Sequence, residues 1–314
     1  MNTAVVFPGQ GSQRTGMLAE LAAEHAIIQT TFAEAADVLG TDYWAMSQTG
    51  PDEVLSDTRN TQPLMFISDI AMWRLLNEQN MATPVAIAGH SLGEFAAMVA
   101  ASAMTFEEGL KLVAKRAQLM AAAVPEGEGG MAALIGMDDD AVIALCEKLS
   151  GDRVIEAVNF NAPGQIAISG HLDALHKLIE VAKEHGARKA IMLPVSVPNH
   201  SSLMRAAGES LAETISTINW KTPAIPLLQN ATANVAANQD VFLSTLRQHV
   251  YNPVRWTNTI QNLRDHHNVL RIIECGPGKV LTGLGKRIDK TLPTLASETP
   301  DLLATLFDSQ AEPA

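Results

Sequence analysis

The chain has 314 residues, of which 47% are hydrophobic, and its mean hydropathy is +0.08. That length buries a large core and exceeds what one compact domain usually needs, so we expect a large domain and a smaller one. The 22 Lys and Arg residues against 34 Asp and Glu residues give a net charge of −12. This charge argues against nucleic acid as the main partner, because phosphate binding needs a basic surface.

The sequence also lacks the patterns of export and of membrane insertion. Residues 1–13 contain no basic region followed by a long apolar run, and no stretch of about 18 uninterrupted apolar residues predicts a membrane span. Cys146 and Cys275 lie far apart, so they form neither a disulfide framework nor a zinc-binding pair. We therefore expect a cytoplasmic protein, with both cysteines buried and no metal site.

The first part of the chain alternates short apolar runs with amphipathic stretches, which predicts an α/β fold with a parallel sheet. The run at Val85–Ala88 follows Thr83-Pro84 and is typical of a fully buried strand. The predicted elements, in chain order, are strand Thr3–Phe7, helix Leu64–Leu76, strand Val85–Ala88, a helix from Leu92 to about Ala103, and helix Phe106–Val124.

The pattern changes in the middle of the chain, where strands and helices follow one another in the order β-α-β-β-α-β. This order is typical of a ferredoxin-like domain, which we place at residues 128–197, with residues 1–127 and 198–314 forming the large domain. Its predicted elements are strand Met131–Met137, helix Asp138–Leu149, strands Val154–Asn159 and Gln165–Ser169, helix Leu172–His185 and strand Ala190–Val195.

The last part of the chain returns to the large domain. A turn is predicted at Gly276-Pro277-Gly278, and the tail Ser309–Ala314 is expected to fray. The other predicted elements are helix Leu203–Ile218, strand Ile225–Gln229, helix Val241–Val250 and strand Leu270–Glu274.

The strongest chemical signal is Gly89-His90-Ser91-Leu92-Gly93, which lies between a predicted buried strand and a predicted helix. This is the G-x-S-x-G pattern of a nucleophile elbow, in which glycines allow a sharp turn that exposes the serine hydroxyl. The N–H of Leu92 is then placed to donate to an oxyanion. We interpret Ser91 as a nucleophile.

A serine nucleophile needs a base, and the sequence contains nine histidines. His200 follows a predicted strand and a loop at the domain junction, whereas the position of His90 inside the elbow makes it a poor base. His200 is therefore the best candidate for the general base.

The loop after the first strand, residues 7–13, has glycines but neither the Gly-Lys-Ser/Thr ending of a P-loop nor the G-x-G-x-x-G spacing. A loop that offers a backbone N–H to an oxyanion fits better, with Gln10 as the donor. Arg116 shares a helix face with Leu112 and Leu119, so it is a candidate for an inward-facing arginine that binds a carboxylate. The alternative for the loop is an ordinary glycine turn, and the alternative for Arg116 is a solvated arginine on the helix surface.

Five separated motifs together resemble the malonyl-CoA:acyl-carrier-protein transacylase family of bacterial fatty acid synthesis. The resemblance covers nearly the whole chain and implies a large α/β-hydrolase-like domain with a small ferredoxin-like one. The motifs are FPGQGSQ at 7–13, GHSLGE at 89–94, NFNAPGQ at 159–165, VSVPNH at 195–200 and GPGKVL at 276–281.

The resemblance implies a role for each site residue. Ser91 carries the malonyl group as an ester, and His200 acts as general base and acid. The N–H groups of Gln10 and Leu92 form the oxyanion hole, while Arg116 binds the free malonyl carboxylate and so selects malonyl over acetyl. The implied mechanism is ping-pong, with acyl carrier protein as the acceptor and no cofactor.

Two positions depart from the family's pattern. His249 stands where the family usually has Gln, four residues before Pro253, and we expect its backbone carbonyl to orient His200. Asn199 stands directly before His200, where the family more often has Ser or Phe, at the border of the acyl pocket.

The implied partners are malonyl-CoA and acyl carrier protein, with no nucleic acid and no membrane, and we expect a monomer. Because acyl carrier proteins are acidic, docking needs a basic patch, for which Lys279, Lys286 and Arg287 are candidates.

Three other functions remain open from the sequence alone. A serine esterase or thioesterase shares the elbow and a histidine but does not need Arg116. The transacylase subunit of a malonate decarboxylase system uses the same chemistry with another carrier protein. A non-catalytic binding protein could use the same fold.

Overall fold

The computed structural model describes residues 1–308, and the tail predicted to fray, Ser309–Ala314, lies outside them. The strands are β1 (Thr3–Phe7), β2 (Ala86–Gly89), β3 (Gly129–Ile135), β4 (Ile155–Ala162), β5 (Gln165–His171), β6 (Lys189–Met192), β7 (Leu227–Leu228), β8 (Arg271–Glu274) and β9 (Thr294–Ala296).

The helices cover both faces of the larger sheet and one side of the smaller one. They are α1 (Ala19–Glu24), α2 (Ala26–Leu39), α3 (Tyr43–Thr49), α4 (Asp52–Ser56), α5 (Thr58–Glu78), α6 (Gly93–Ala100), α7 (Phe106–Ala122), α8 (Asp139–Leu149), α9 (Leu172–Val181), α10 (Arg205–Thr217), α11 (Gln239–Arg247), α12 (Trp256–His267), α13 (Val280–Ile288) and α14 (Pro300–Asp308). Within residues 1–308, no helix combines the length and apolar character needed to cross a membrane.

The large sheet has the strand order β7-β2-β1-β8-β9, and every pairing in it is parallel. Alternate residues of β1 belong to different cores. Val5 and Phe7 pack with α5, α6 and α7, whereas Ala4 and Val6 pack with α12 and α13. Burial on both faces explains why these strands are short, continuous apolar runs.

The small sheet is antiparallel, with the order β4-β5-β3-β6. All four strands lie within residues 129–192, and α8 and α9 pack against one face of the sheet. This is the strand order of the βαββαβ arrangement. The predicted fold class, a parallel α/β sheet with a small ferredoxin-like unit, is therefore confirmed.

Strand β4 also pairs with a short segment outside the small sheet. The N–H of Val254 donates to the Val158 carbonyl at 2.8 Å, and the N–H of Phe160 donates to the Val254 carbonyl at 2.9 Å. This short parallel bridge ties the small sheet to the chain that leads into α12. Backbone hydrogen bonds therefore hold the small sheet against the segment that enters α12.

Several predicted elements have other bounds in the structure. The predicted strand Ile225–Gln229 shrinks to β7, because Pro226 has no N–H to donate. The predicted strand Ala190–Val195 is instead β6, which ends two residues before Pro194. Helix α5 begins six residues before the predicted Leu64, at a cap formed by Asp57, and it includes Pro63.

Two predicted helices differ clearly from the observed ones. The predicted helix Leu172–His185 becomes an α-helix only as far as Val181 and continues as turns to Gly186. The predicted helix Val241–Val250 is replaced by α11, which is capped by Asn238, and by a separate 3₁₀ turn at His249–Tyr251.

Candidate active site

The turn between β2 and α6 places Ser91 at the carboxyl end of the large sheet. Ser91 has a φ of 51°, a left-handed conformation that is uncommon for a residue with a side chain. A Cβ on Gly89 would lie 1.9 Å from the Gly93 carbonyl carbon, and one on Gly93 would lie 2.2 Å from the Phe7 carbonyl oxygen. Both glycines are required for the turn, which has the geometry of a nucleophile elbow.

The structure brings His200 to Ser91 across 109 residues of sequence. The Ser91 hydroxyl Oγ and His200 Nε2 are 2.6 Å apart. His200 Nδ1 lies 2.9 Å from the Asn252 carbonyl oxygen and 3.1 Å from that of His249. Carbonyls only accept, so Nδ1 carries the hydrogen and Nε2 is left with the lone pair that accepts the serine proton.

His200 is kept neutral by its surroundings. It is 2% exposed, and burial followed by the nearby Arg116 charge lowers its pKa to about 3. A neutral imidazole with its lone pair on the serine is the form a general base needs. Two backbone carbonyls, rather than a carboxylate, orient this histidine.

Asn230, which the sequence did not indicate, hydrogen-bonds to the backbone of the elbow through its side chain. Its Oδ1 accepts from the Ser91 N–H at 2.7 Å, and its Nδ2 donates to the Gly89 carbonyl at 2.6 Å. Its own N–H donates to Glu94 Oε2 at 2.8 Å. Burial raises the pKa of Glu94 to about 8, so this carboxyl is largely protonated at neutral pH.

Arg116 points inward from α7 toward the elbow. It is 2% exposed, its Nη2 lies 3.5 Å from Ser91 Oγ, and its Nη1 donates to Gln62 Oε1 at 2.5 Å. Burial lowers its pKa to about 9, which leaves the guanidinium charged at neutral pH. Its Nε is buried, without a hydrogen-bond partner within residues 1–308. The inward-facing alternative is therefore the one observed, and Gln62 is a neighbour the sequence did not indicate.

The loop after β1 packs directly on the elbow. A Cβ on Gly9 would lie 2.6 Å from the His90 carbonyl oxygen and 3.7 Å from the Leu92 nitrogen. Within the described part of the chain, the N–H groups of Gln10 and Leu92 donate to no other protein atom. Two free N–H donors on adjoining loops beside the Ser91 hydroxyl are the arrangement that an oxyanion hole requires.

These side chains surround one cavity of about 180 Å³ between the two sheets. Apolar residues of the small sheet and of α13, such as Met131 and Leu284, form the opposite wall. The sequence-predicted residues that line the cavity are Gln10, Ser91, Leu92, Arg116, Asn199 and His200.

The other predicted residues lie outside this cavity. His249 is buried behind His200, whereas Lys279, Lys286 and Arg287 are exposed on and just before α13. Arg287 donates to Gln165 at the cavity wall, and Lys279 lies 3.9 Å from Glu298. Cys146 and Cys275 are both buried and unpaired, as expected.

Comparison with known proteins places this geometry in a family. Residues 4–293 match the family model described as an acyl transferase domain. The chain belongs to this acyl transferase family. It is 42% identical over 305 residues to a malonyl CoA-acyl carrier protein transacylase of Escherichia coli K12. The alignment covers 97% of this chain and 98% of that protein.

Solved structures of the family agree with the fold. A malonyl-CoA:acyl carrier protein transacylase from Xanthomonas oryzae superposes with a TM-score of 0.95 at 45% identity, over 98% of each chain. A malonyl-transacylase in complex with a type II polyketide synthase acyl-carrier protein gives 0.96 at 40% identity, over 98% of this chain and 100% of that one. The family match therefore extends over both sheets and the cleft between them.

Proposed function

We propose that this chain transfers the malonyl group of malonyl-CoA to the phosphopantetheine thiol of acyl carrier protein, for fatty acid biosynthesis. The observation that carries the proposal is the Ser91 Oγ–His200 Nε2 contact at 2.6 Å, with the buried, charged Arg116 placing its Nη2 3.5 Å from the same hydroxyl in one cavity. Near full-length identity of 42% to a curated transacylase supports the same substrates.

In the first half-reaction, His200 Nε2 takes the proton of Ser91 as Oγ attacks the malonyl thioester carbon. The oxyanion that forms receives hydrogen bonds from the N–H groups of Leu92 and Gln10. The carbon–sulfur bond then breaks, and the CoA thiolate leaves with the proton from His200. The product is a malonyl ester on Ser91.

In the second half-reaction, the carrier protein's thiol gives its proton to His200 and its sulfur attacks the Ser91 ester. The carbon–oxygen bond breaks, and His200 returns the proton to Oγ. Acyl transfer of this kind involves no change of oxidation state, so the proposed reaction needs no cofactor. Transfer to the thiol rather than hydrolysis requires that the acyl-enzyme be shielded from water.

Arg116 is the proposed binding group for the free carboxylate of malonyl. The Arg116 guanidinium lies at the elbow, with Nη2 3.5 Å from Ser91 Oγ. A guanidinium can bind a carboxylate in bidentate geometry. Asn199 borders the same cavity, and its Oδ1 is buried without a hydrogen-bond partner within residues 1–308. We propose that Asn199 faces the acyl group.

The proposed docking patch for acyl carrier protein is formed by Lys279, Lys286 and Arg287. Helix α13 contributes Leu281 and Leu284 to the cavity wall, so its exposed basic residues flank the active-site cleft. A local basic patch lets a chain of net charge −12 attract an acidic partner.

A transfer assay tests the proposal and separates it from the alternatives. The purified chain is incubated with malonyl-CoA and either phosphopantetheinylated acyl carrier protein, the carrier protein of a malonate decarboxylase, or no acceptor. We expect malonyl-acyl carrier protein as the main product. Transfer only to the second carrier would indicate a malonate decarboxylase subunit, and steady release of malonate without an acceptor would indicate a thioesterase.

A further inference from the structure

We propose that the imidazole of His249 is a positioning group that holds the Ser91 elbow against His200. One residue then fixes both partners of the proton transfer, through its backbone on one side and its side chain on the other. This inference rests on the proposed serine chemistry of the same site. It concerns the His249 ring, which is separate from the backbone carbonyl that orients His200.

The contacts of His249 reach both catalytic partners. Its carbonyl oxygen accepts from His200 Nδ1 at 3.1 Å. Its ring Nε2 lies 3.2 Å from the Ser91 carbonyl oxygen, so Nε2 carries the hydrogen and donates. The Asn252 carbonyl also accepts from His200, at 2.9 Å, so His200 keeps a backbone partner whatever side chain stands at position 249.

The His249 ring is fixed in place and uncharged. It is 4% exposed and makes edge-to-face contacts with the rings of Phe95 and His200, at centroid distances of 5.0 and 5.6 Å. Burial, then the Arg116 charge, lowers its pKa well below the usual value. Glu94 Oε2 lies 3.5 Å from the same Nε2. The ring is therefore a neutral donor directed at the elbow.

The elbow needs such a donor because its backbone is strained. Ser91 has a φ of 51°, and a non-glycine residue with positive φ persists only where its surroundings hold it. Asn230 secures the Ser91 N–H at 2.7 Å, and the Glu94 N–H donates to the Ser91 carbonyl at 3.1 Å. The His249 ring supplies the second donor to the Ser91 carbonyl. Because the His249 backbone also bonds to His200, this donor ties the elbow to the residue that orients the base.

The test measures the rate at which Ser91 is acylated in the full chain. Rapid quenching follows the malonyl ester in wild type, His249→Leu and His249→Gln, normalised to the protein that can be fully labelled. The Leu variant keeps the bulk and loses the donor, and the Gln variant restores an N–H. His176→Leu, at an exposed histidine on α9, is the matched control.

We expect His249→Leu to acylate roughly 10- to 100-fold more slowly, as for other small misplacements of reacting groups. The KM for malonyl-CoA stays close to that of wild type, and His249→Gln recovers most of the lost rate. A Leu variant as fast as wild type, or a Gln variant as slow as Leu with the same loss of thermal stability, would overturn the proposal.

A second measurement keeps this inference separate from the proposed substrate. A fluorophosphonate labels an activated serine without needing the malonyl group, and we expect its labelling of Ser91 to slow in His249→Leu and to recover in His249→Gln. Wild type that is labelled by fluorophosphonate but forms no malonyl ester would refute the proposed function alone. Equal labelling rates in all three proteins would refute the positioning role alone.

Discussion

Replacing Arg116 with Met tests how this site would tell malonyl from acetyl. Methionine keeps a long, unbranched side chain in the pocket but removes the charge that faces Ser91 Oγ at 3.5 Å. The donor to Gln62 is lost as well. Acetyl-CoA has no carboxylate, so any effect of the change on Ser91 or His200 is common to both substrates and cancels in the ratio of their rates.

The size of the effect follows from the burial of the guanidinium. A charge-assisted hydrogen bond at a buried site contributes about 1.5–3 kcal/mol net, and each 1.36 kcal/mol is tenfold in rate. Arg116 is 2% exposed, so water does not replace its contribution. The ratio of kcat/KM for malonyl-CoA to that for acetyl-CoA is therefore expected to fall by roughly 10- to 150-fold.

The assay measures acylation of the enzyme by each thioester separately, with Arg59→Met as the control. Arg59 is an exposed arginine at the start of α5, and its removal leaves the cavity intact. If Arg116→Met changes both rates by the same factor, Arg116 does not bind the malonyl carboxylate and the selectivity argument fails.

Three further outcomes are expected. The double variant Lys286→Glu with Arg287→Glu raises KM for acyl carrier protein and leaves KM for malonyl-CoA unchanged. The control variant Lys183→Glu, on the small unit, changes neither KM. Equal effects of the double variant on both KM values would contradict the docking patch. The pKa of His200 is lowered to about 3, which keeps the base neutral. We therefore expect kcat/KM to stay level from pH 7 down to about pH 5.5, and an acid limb near the ordinary histidine pKa would contradict this. Burial, then the Glu274 charge, raises the pKa of the Asp69 carboxyl well above its usual value. Folding therefore takes up a proton, and stability falls as pH rises. We expect Asp69→Asn to raise Tm, more at pH 8 than at pH 5, and an equal rise at both pH values would refute this.

The sequence predicted the parallel core well because its strands are buried on both faces. Strand β1 has the predicted bounds, since an apolar run between a polar start and Pro8 leaves little freedom. Helix α13 was missed because Gly283 and Gly285 disfavour a helix. A Cβ on Gly285 would lie 2.2 Å from Thr294 Oγ1, so this glycine allows close packing on β9, which periodicity does not show.

The candidate site was predictable where a motif carries it and not elsewhere. The elbow pattern indicated Ser91, and the spacing on α7 left both orientations of Arg116 open. Asn230 comes from a different part of the chain and belongs to no catalytic pattern, so only the fold brings it to Ser91. The Asn252 carbonyl has no signal at all, because every residue carries the same backbone acceptor.

The most direct test of the central claim is the intact mass of the protein after brief incubation with malonyl-CoA, for wild type and Ser91→Ala. We expect a gain of one malonyl group in wild type alone, which is discharged when a pantetheine thiol is added. An adduct that persists in Ser91→Ala, or no adduct in wild type, would contradict an acyl-enzyme on Ser91.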